Sequence, residues 1–208
     1  MPIFPLPHVY LITDRKLAAS ETDFLDKIEQ ALAAGIRMVQ LREKDLPPAE
    51  LFQLGQTLRT LTHRFGASLL INDRLDLALA LNADGVHLPE NAIPTAVARR
   101  LLGANKLVGV STHRMEQIKK HAEAGADFVT FSPIYATASK AAYGAPQGLV
   151  ALEKACQEGS LPVYALGGIT FERATECRDA GAFGVAVVSA ILASSNPFQA
   201  TQDLISRF

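Results

Sequence analysis

The chain has 208 residues, 49% of them apolar and 20% charged, with a formal net charge of −1. That length suits one domain with a full core. Near-neutrality excludes a dominant nucleic-acid surface, which would need a basic excess or a basic stripe. The longest apolar candidate, Val185 to Ala193, is broken by Ser189 and is about half a bilayer span. The start, Met1-Pro2-Ile3-Phe4-Pro5-Leu6-Pro7, lacks the basic region and long apolar stretch of a signal peptide. No membrane or nucleic-acid partner is therefore expected, and a cytoplasmic location is. Cys156 and Cys177 fall in predicted helices without metal-ligand spacing and read as reduced thiols.

Hydrophobic periodicity alternates regularly along the chain. Val9 to Ile12 reads as a strand and Glu21 to Ala34 as a helix, with Ile28, Ala31 and Leu32 on one face. Strand two is Ile36 to Leu41, followed by a helix from Pro48 to Phe65 whose proline suits a first turn. Strand three spans Ser68 to Ile71 and the next helix Leu75 to Leu81; strand four is Gly85 to Leu88, then a helix over Pro94 to Leu102. Lys106 to Val110 and Asp127 to Phe131 give strands five and six around a helix at Met115 to Ala124. A helix at Leu149 to Gln157, strand seven at Pro162 to Leu166 and a helix at Glu172 to Ala180 follow. Strand eight is Phe183 to Val188, and a terminal helix covers Phe198 to Ser206. Glycines at 35, 125 and 181 stand where helices stop and strands begin, in the cap position. The alternation predicts a single α/β domain, a closed (β/α)8 TIM barrel, over an open doubly wound sheet. No Gly-x-Gly-x-x-Gly turn follows the first strand.

Polar residues recur where each apolar run ends: Thr13-Asp14, Gln40 to Lys44, Asn72 to Arg74, His87, Ser111 to His113, Ser132, Gly167-Gly168 and Ser189-Ala190. In a barrel these ends converge on one face. Strand alternation puts Gln40, Arg42 and Lys44 on the inner side, where two cations are costly without an anion. An ion pair with Asp73 or Asp14 is the competing explanation. Asp73 suits either Mg²⁺ beside substrate phosphates or a helix cap. Gly167-Gly168 and Ser189 suit a phosphate held by backbone N–H groups after strands seven and eight. The long segment from Pro133 to Gln147 carries Thr137, Ser139 and Lys140 and suits a lid. His87 reads as a hydrogen-bonded packing residue. His113, beside Ser111, is the better candidate for proton transfer.

Several strings resemble, in order, the motif series of thiamine phosphate synthases, whose superfamily includes thiazole tautomerases. They are Gln40-Leu41-Arg42-Glu43-Lys44, Asn72-Asp73, Gly85-Val86-His87-Leu88, Gly109-Val110-Ser111, the run Pro133 to Lys140, Gly167-Gly168-Ile169 and the run Val187 to Ile191. The resemblance implies a transferase that joins hydroxymethylpyrimidine diphosphate to thiazole phosphate, releasing diphosphate with Mg²⁺. It implies that Gln40, Arg42, Lys44, Asn72, Ser111 and Lys140 contact the pyrimidine diphosphate and that Asp73 binds Mg²⁺. Thr137, Ser139, Gly168, Val188 and Ser189 would hold the thiazole phosphate. The implied partners are small phosphorylated substrates, and association into a homo-oligomer stays open. Synthases usually follow Gly-Val-His-Leu with Gly-Gln-x-Asp, whose aspartate is a second metal ligand; here Pro89-Glu90-Asn91-Ala92 stands instead, with Ala92 at that position. Glu90 or Asn91 is a possible substitute. The alternatives are a tautomerase using His113 without Mg²⁺, or a non-catalytic binder of thiazole phosphate.

Overall fold

The computed structural model describes residues 6–137 and 145–208. Strands β1 (Val9–Ile12), β2 (Met38–Leu41), β3 (Ser68–Asn72) and β4 (Gly85–Leu88) alternate with helices α1 (Glu21–Ala33), α2 (Pro48–Arg64), α3 (Leu75–Ala80) and α4 (Thr95–Leu102). The second half repeats the pattern with β5 (Leu107–Thr112), α5 (Met115–Glu123), β6 (Phe128–Phe131), α6 (Gly148–Glu158), β7 (Val163–Leu166), α7 (Phe171–Asp179) and β8 (Gly184–Val187). Two further helices, α8 (Ser189–Leu192) and α9 (Pro197–Ile205), end the chain. All eight strands are parallel and close into one barrel, β8 pairing with β1 through Val9–Val185 and Leu11–Val187. The expected (β/α)8 barrel is the fold.

Two short elements were not expected from periodicity: a 3₁₀ turn at Arg15–Leu17 and the four-residue α8. Neither spans enough residues to show a period. Strand two starts at Met38 rather than Ile36, and strand five runs on to Thr112 rather than stopping at Val110. Its last two residues, Ser111 and Thr112, are polar, so an apolar run does not reveal them.

Side chains alternate across the barrel wall, as the strand period requires. Val9, Leu11, Val39, Leu41, Leu69, Ile71, Val86, Val108, Val129 and Val185 join the buried layer between barrel and helices. There α1 contributes Phe24, Ile28, Ala31 and Leu32. The alternate residues Tyr10, Met38, Leu70, Leu107, Phe128, Tyr164 and Ala186 form a second cluster inside the barrel. Tyr10 meets Phe128 edge-on at 5.6 Å, and Phe128 meets Tyr164 at 5.3 Å. Room for these rings comes from missing side chains. A Cβ on Gly109 would sit 2.3 Å from Phe128 Cζ, and one on Gly184 2.8 Å from Tyr164 Cε1.

Two ion pairs lie where strands begin, at the amino-terminal end of the barrel. Asp84 Oδ2 accepts from Arg59 Nη1 at 2.6 Å and from the Leu69 N–H at 2.8 Å. Asp127 Oδ2 accepts from Arg99 Nη2 at 2.5 Å and from the Val108 N–H at 2.7 Å. Each aspartate thus ties a helix to the strand before its own. This face of a barrel carries stability rather than chemistry. Replacing Asp127 by Ala leaves a mostly buried guanidinium and a strand N–H without their acceptor. Asp127→Ala is expected to lower unfolding free energy by about 3 kcal/mol, read from urea denaturation, with an unchanged far-UV circular dichroism spectrum.

Candidate active site

At the carboxyl-terminal end the barrel interior turns polar. The register pairs Asn72 with His87, His87 with Gly109, and Ser111 with Thr130. These positions continue the inward-facing rows of Leu70, Gly85, Leu107 and Phe128. Gln40 is buried, and its Nε2 donates to Tyr10 Oη at 2.9 Å. Tyr10 Oη lies 3.4 Å from His87 Nδ1, while His87 Nε2 lies 3.0 Å from Ser111 Oγ and 3.5 Å from Thr130 Oγ1. Sequence reasoning missed Tyr10 and Thr130 as parts of this network. The available signal was a tyrosine in the middle of an apolar strand, whose buried hydroxyl needs a partner.

Strand β2 ends at Leu41, so alternation places Gln40 alone; Arg42 and Lys44 stand in the turn that follows. Glu43 is buried beneath that turn and accepts from the Arg15 N–H at 3.1 and 3.2 Å. Burial raises its pKa above the usual carboxylate value. The Arg42 N–H donates to Thr13 Oγ1 at 2.8 Å, which fixes the turn to the end of β1. Arg42 is close enough for its charge to reach Lys44, and Lys44 also feels Asp73. Burial lowers the Lys44 pKa most, the Arg42 charge lowers it further, and Asp73 opposes both.

Among the described residues neither Arg42 nor Lys44 forms an ion pair. Asp73 does not cap the next helix either: the cap position of α3 is Arg74, with no side-chain bond. Asp73 instead adopts φ 64°, rare for a residue with a side chain. Its N–H is fixed to His87 O at 2.9 Å, and its carboxylate is left exposed beside Lys44.

The opposite side of the mouth is built from glycines. Gly167 and Gly168 both take positive φ, 101° and 67°. A Cβ on Gly168 would lie 2.9 Å from Tyr135 Cβ and 3.2 Å from Thr137 Cγ2, so Gly168 and Thr137 adjoin. Arg173 of α7 donates to Gly168 O at 2.7 Å and stacks on the Tyr135 ring at 4.4 Å, which orients the turn. Val188 and Ser189 stand at the neighbouring strand end, where α8 begins and its first N–H groups lack intrahelical partners. Ser139 and Lys140 lie outside the described residues.

A family model described as thiamine monophosphate synthase matches residues 9–191. The chain belongs to this family. A Geobacter sulfurreducens protein named provisionally as a thiamine-phosphate synthase is 52% identical over 198 residues, 95% of this chain and 92% of that one. The thiamine-phosphate synthase of Roseiflexus sp. (strain RS-1) is 42% identical, over 94% of this chain and 83% of its own. The solved thiamine phosphate pyrophosphorylase from Pyrococcus furiosus matches with a TM-score of 0.86 at 33% identity, covering 96% of this chain and 94% of that one.

The family's second carboxylate is not restored from nearby. The Ala92 N–H closes a turn on Pro89 O at 3.0 Å, and the residue packs against the outer core. Glu90 turns toward α5 instead: it accepts from Gln117 Nε2 at 2.6 Å and lies 3.7 Å from Arg114. No group of three or more His, Cys, Asp or Glu side chains converges among the described residues. Asp73 is the carboxylate that the structure sets beside Lys44. Mg²⁺ bound with substrate phosphates commonly uses only one or two carboxylates, so this set fits a cation shared with a diphosphate.

His113 does not join the polar cluster. Thr112 still belongs to β5, and past it the His113 Nδ1–H donates to Ser132 O at 2.7 Å, with Nε2 4.0 Å from Glu90. Its ring lines a cavity of about 260 Å³ with Phe131, Met115 and Ala151, between the starts of α5 and α6. Phe131 faces the helix layer, away from the barrel interior. His113 thus stands apart from the Ser111–His87 network: the chain leaves the strand after Thr112, and the ring is held by Ser132 instead of following the inward row. Both cysteines are free, and burial raises their thiols to about 11 (Cys156) and about 12 (Cys177), which suits inert packing. No helix among the described residues is long and apolar enough to cross a membrane.

His87 is fully enclosed, and burial, with a smaller effect from Arg42, holds its pKa down to about 3. The native ring is neutral, whereas in the unfolded chain histidine titrates near pH 6.5. Between those values the unfolded state binds the extra proton. The group's contribution is therefore complete above about pH 6.5 and falls by about 1.4 kcal/mol per unit as pH drops toward 3. In urea unfolding between pH 7 and 4, His87→Asn is expected to show a pH slope shallower than wild type by about that amount.

Proposed function

We propose that the protein is a thiamine-phosphate synthase: it transfers a pyrimidinylmethyl group from its diphosphate to the ring nitrogen of thiazole phosphate. The observation that carries this reading is the pair Arg42 and Lys44, unpaired among the described residues beside Asp73 at the barrel mouth. Two cations that share one neighbouring carboxylate keep a surplus of positive charge until an anion arrives. A diphosphate supplies that charge.

In the reaction the C–O bond between the pyrimidine methylene and the diphosphate breaks, and its electron pair leaves with the diphosphate. The thiazole nitrogen lone pair then forms the new C–N bond. No proton is removed from that nitrogen, so the site needs charge stabilisation more than acid–base catalysis. Arg42 and Lys44 stabilise the leaving group in this reading, joined by Lys140 as the family resemblance implies. Gln40, Asn72 and Ser111 orient the pyrimidine. Gly168, Val188 and Ser189 receive the thiazole phosphate through backbone N–H groups, with Thr137 next to Gly168 and Ser139 joining them as the family resemblance implies. Asp73 is the residue that would hold Mg²⁺, whose charge would help neutralise the diphosphate when bound.

Incubation with both substrates and Mg²⁺ is expected to yield thiamine phosphate and diphosphate in equal amounts; no product under these conditions would overturn the assignment. Arg42→Ala is expected to lower kcat/KM for the pyrimidine diphosphate by about 10²-fold. Asp73→Asn should raise the Mg²⁺ concentration needed for half-maximal rate, while the KM for thiazole phosphate holds.

A further inference from the structure

The hydrogen-bond chain Gln40–Tyr10–His87–Ser111 has a direction, and that direction decides what the mouth presents to a ligand. Gln40 Nε2 donates to Tyr10 Oη, so the tyrosine's own proton must go elsewhere. The remaining acceptor within reach is His87 Nδ1 at 3.4 Å. A neutral imidazole that accepts at Nδ1 carries its proton on Nε2. That N–H points at Ser111 Oγ, 3.0 Å away, with Thr130 Oγ1 at 3.5 Å. Ser111 Oγ therefore accepts, and its own O–H has no acceptor among the described residues. Gln40 Oε1 likewise has no partner among them. The chain thus ends in a free carbonyl oxygen at β2 and a free hydroxyl proton at β5.

We propose that Tyr10 and His87 are positioning residues that hold Gln40 as an acceptor and Ser111 as a donor at the mouth, selecting an aminopyrimidine over an oxopyrimidine. This rests on the synthase reading for the identity of the ligand. An aminopyrimidine offers amine N–H donors and bare ring nitrogens, matching the Gln40 oxygen and the Ser111 proton. An oxopyrimidine replaces the amine by a carbonyl, which meets the Gln40 oxygen acceptor to acceptor, and puts a hydrogen on the adjoining nitrogen, which removes the acceptor for the Ser111 proton. Neither positioning residue needs to touch the reacting carbon.

Two measurements test this. In protein labelled with ¹⁵N-histidine, the ring shifts and couplings of His87 should report the proton on Nε2; a proton on Nδ1 would overturn the proposal. By calorimetry, hydroxymethylpyrimidine diphosphate is expected to bind about 100-fold tighter than its 4-oxo analogue, in line with sites that lose a buried hydrogen-bond match. His87→Leu should bring the two affinities within about tenfold, and His87→Gln, which can restore a donor toward Ser111, should recover the preference. A purely structural role for His87 would weaken both ligands equally and leave their ratio unchanged, which would refute the positioning role. Binding of neither ligand, with the proton found on Nε2, would remove the pyrimidine reading and leave the polarity of the chain standing.

Discussion

The barrel's interior is a narrow space that must be filled without voids, and that constraint organises the rest of the molecule. Three large rings, Tyr10, Phe128 and Tyr164, plug it, and they fit because Gly109 and Gly184 have no side chain where the rings lie. Two of the three carry hydroxyls that must find partners in a dry core. Tyr164 settles its hydroxyl on Pro7 O at 2.5 Å, at the amino-terminal end. Tyr10 instead meets Gln40 and His87. The plug therefore continues into the polar layer through one phenol. Packing in the core and hydrogen bonding at the mouth are mechanically one unit.

Charge is divided between the two ends in a way that follows from the same architecture. Where strands begin, Asp84 and Asp127 each meet an arginine and a backbone N–H, so those charges are neutralised within the fold. Where strands end, Arg42 and Lys44 repel one another and Asp73 only partly offsets them. A surplus of positive charge is an unfavourable resting state that an anionic ligand relieves. Stability is concentrated at one end, and the other is left to the ligand.

Much of this was legible in the sequence. Runs such as Val9 to Ile12 and Gly85 to Leu88 mark strands because both barrel faces are apolar over most of their length. The polar residues that follow mark the working face because all eight strands are parallel. What the sequence hid depends on contacts between distant residues. Tyr10 lies 30 residues from Gln40 and 77 from His87, so the network joining them has no local signature. Alternation also fails once a strand ends. Carried on from Gln40 it points Arg42 and Lys44 inward, yet both are placed by the turn over buried Glu43. It gave no warning that β5 runs two polar residues further and carries His113 toward α5 and α6.

Ala92 changes the balance of the mouth rather than its design. With the family's second carboxylate absent and Glu90 engaged by Gln117, the protein brings two cations and one carboxylate to the place where the reading seats a diphosphate. A cation shared there would draw most of its negative charge from the ligand, because Asp73 alone cannot offset Mg²⁺. The corresponding share of leaving-group stabilisation moves onto Arg42 and Lys44. Lys44 feels this directly: burial and Arg42 lower its pKa, and a diphosphate acts in the opposite sense. Ligand binding would thus relieve the repulsion felt by the group that holds it. A site with two carboxylates would already have offset the neighbouring positive charge, and would gain less from the same event.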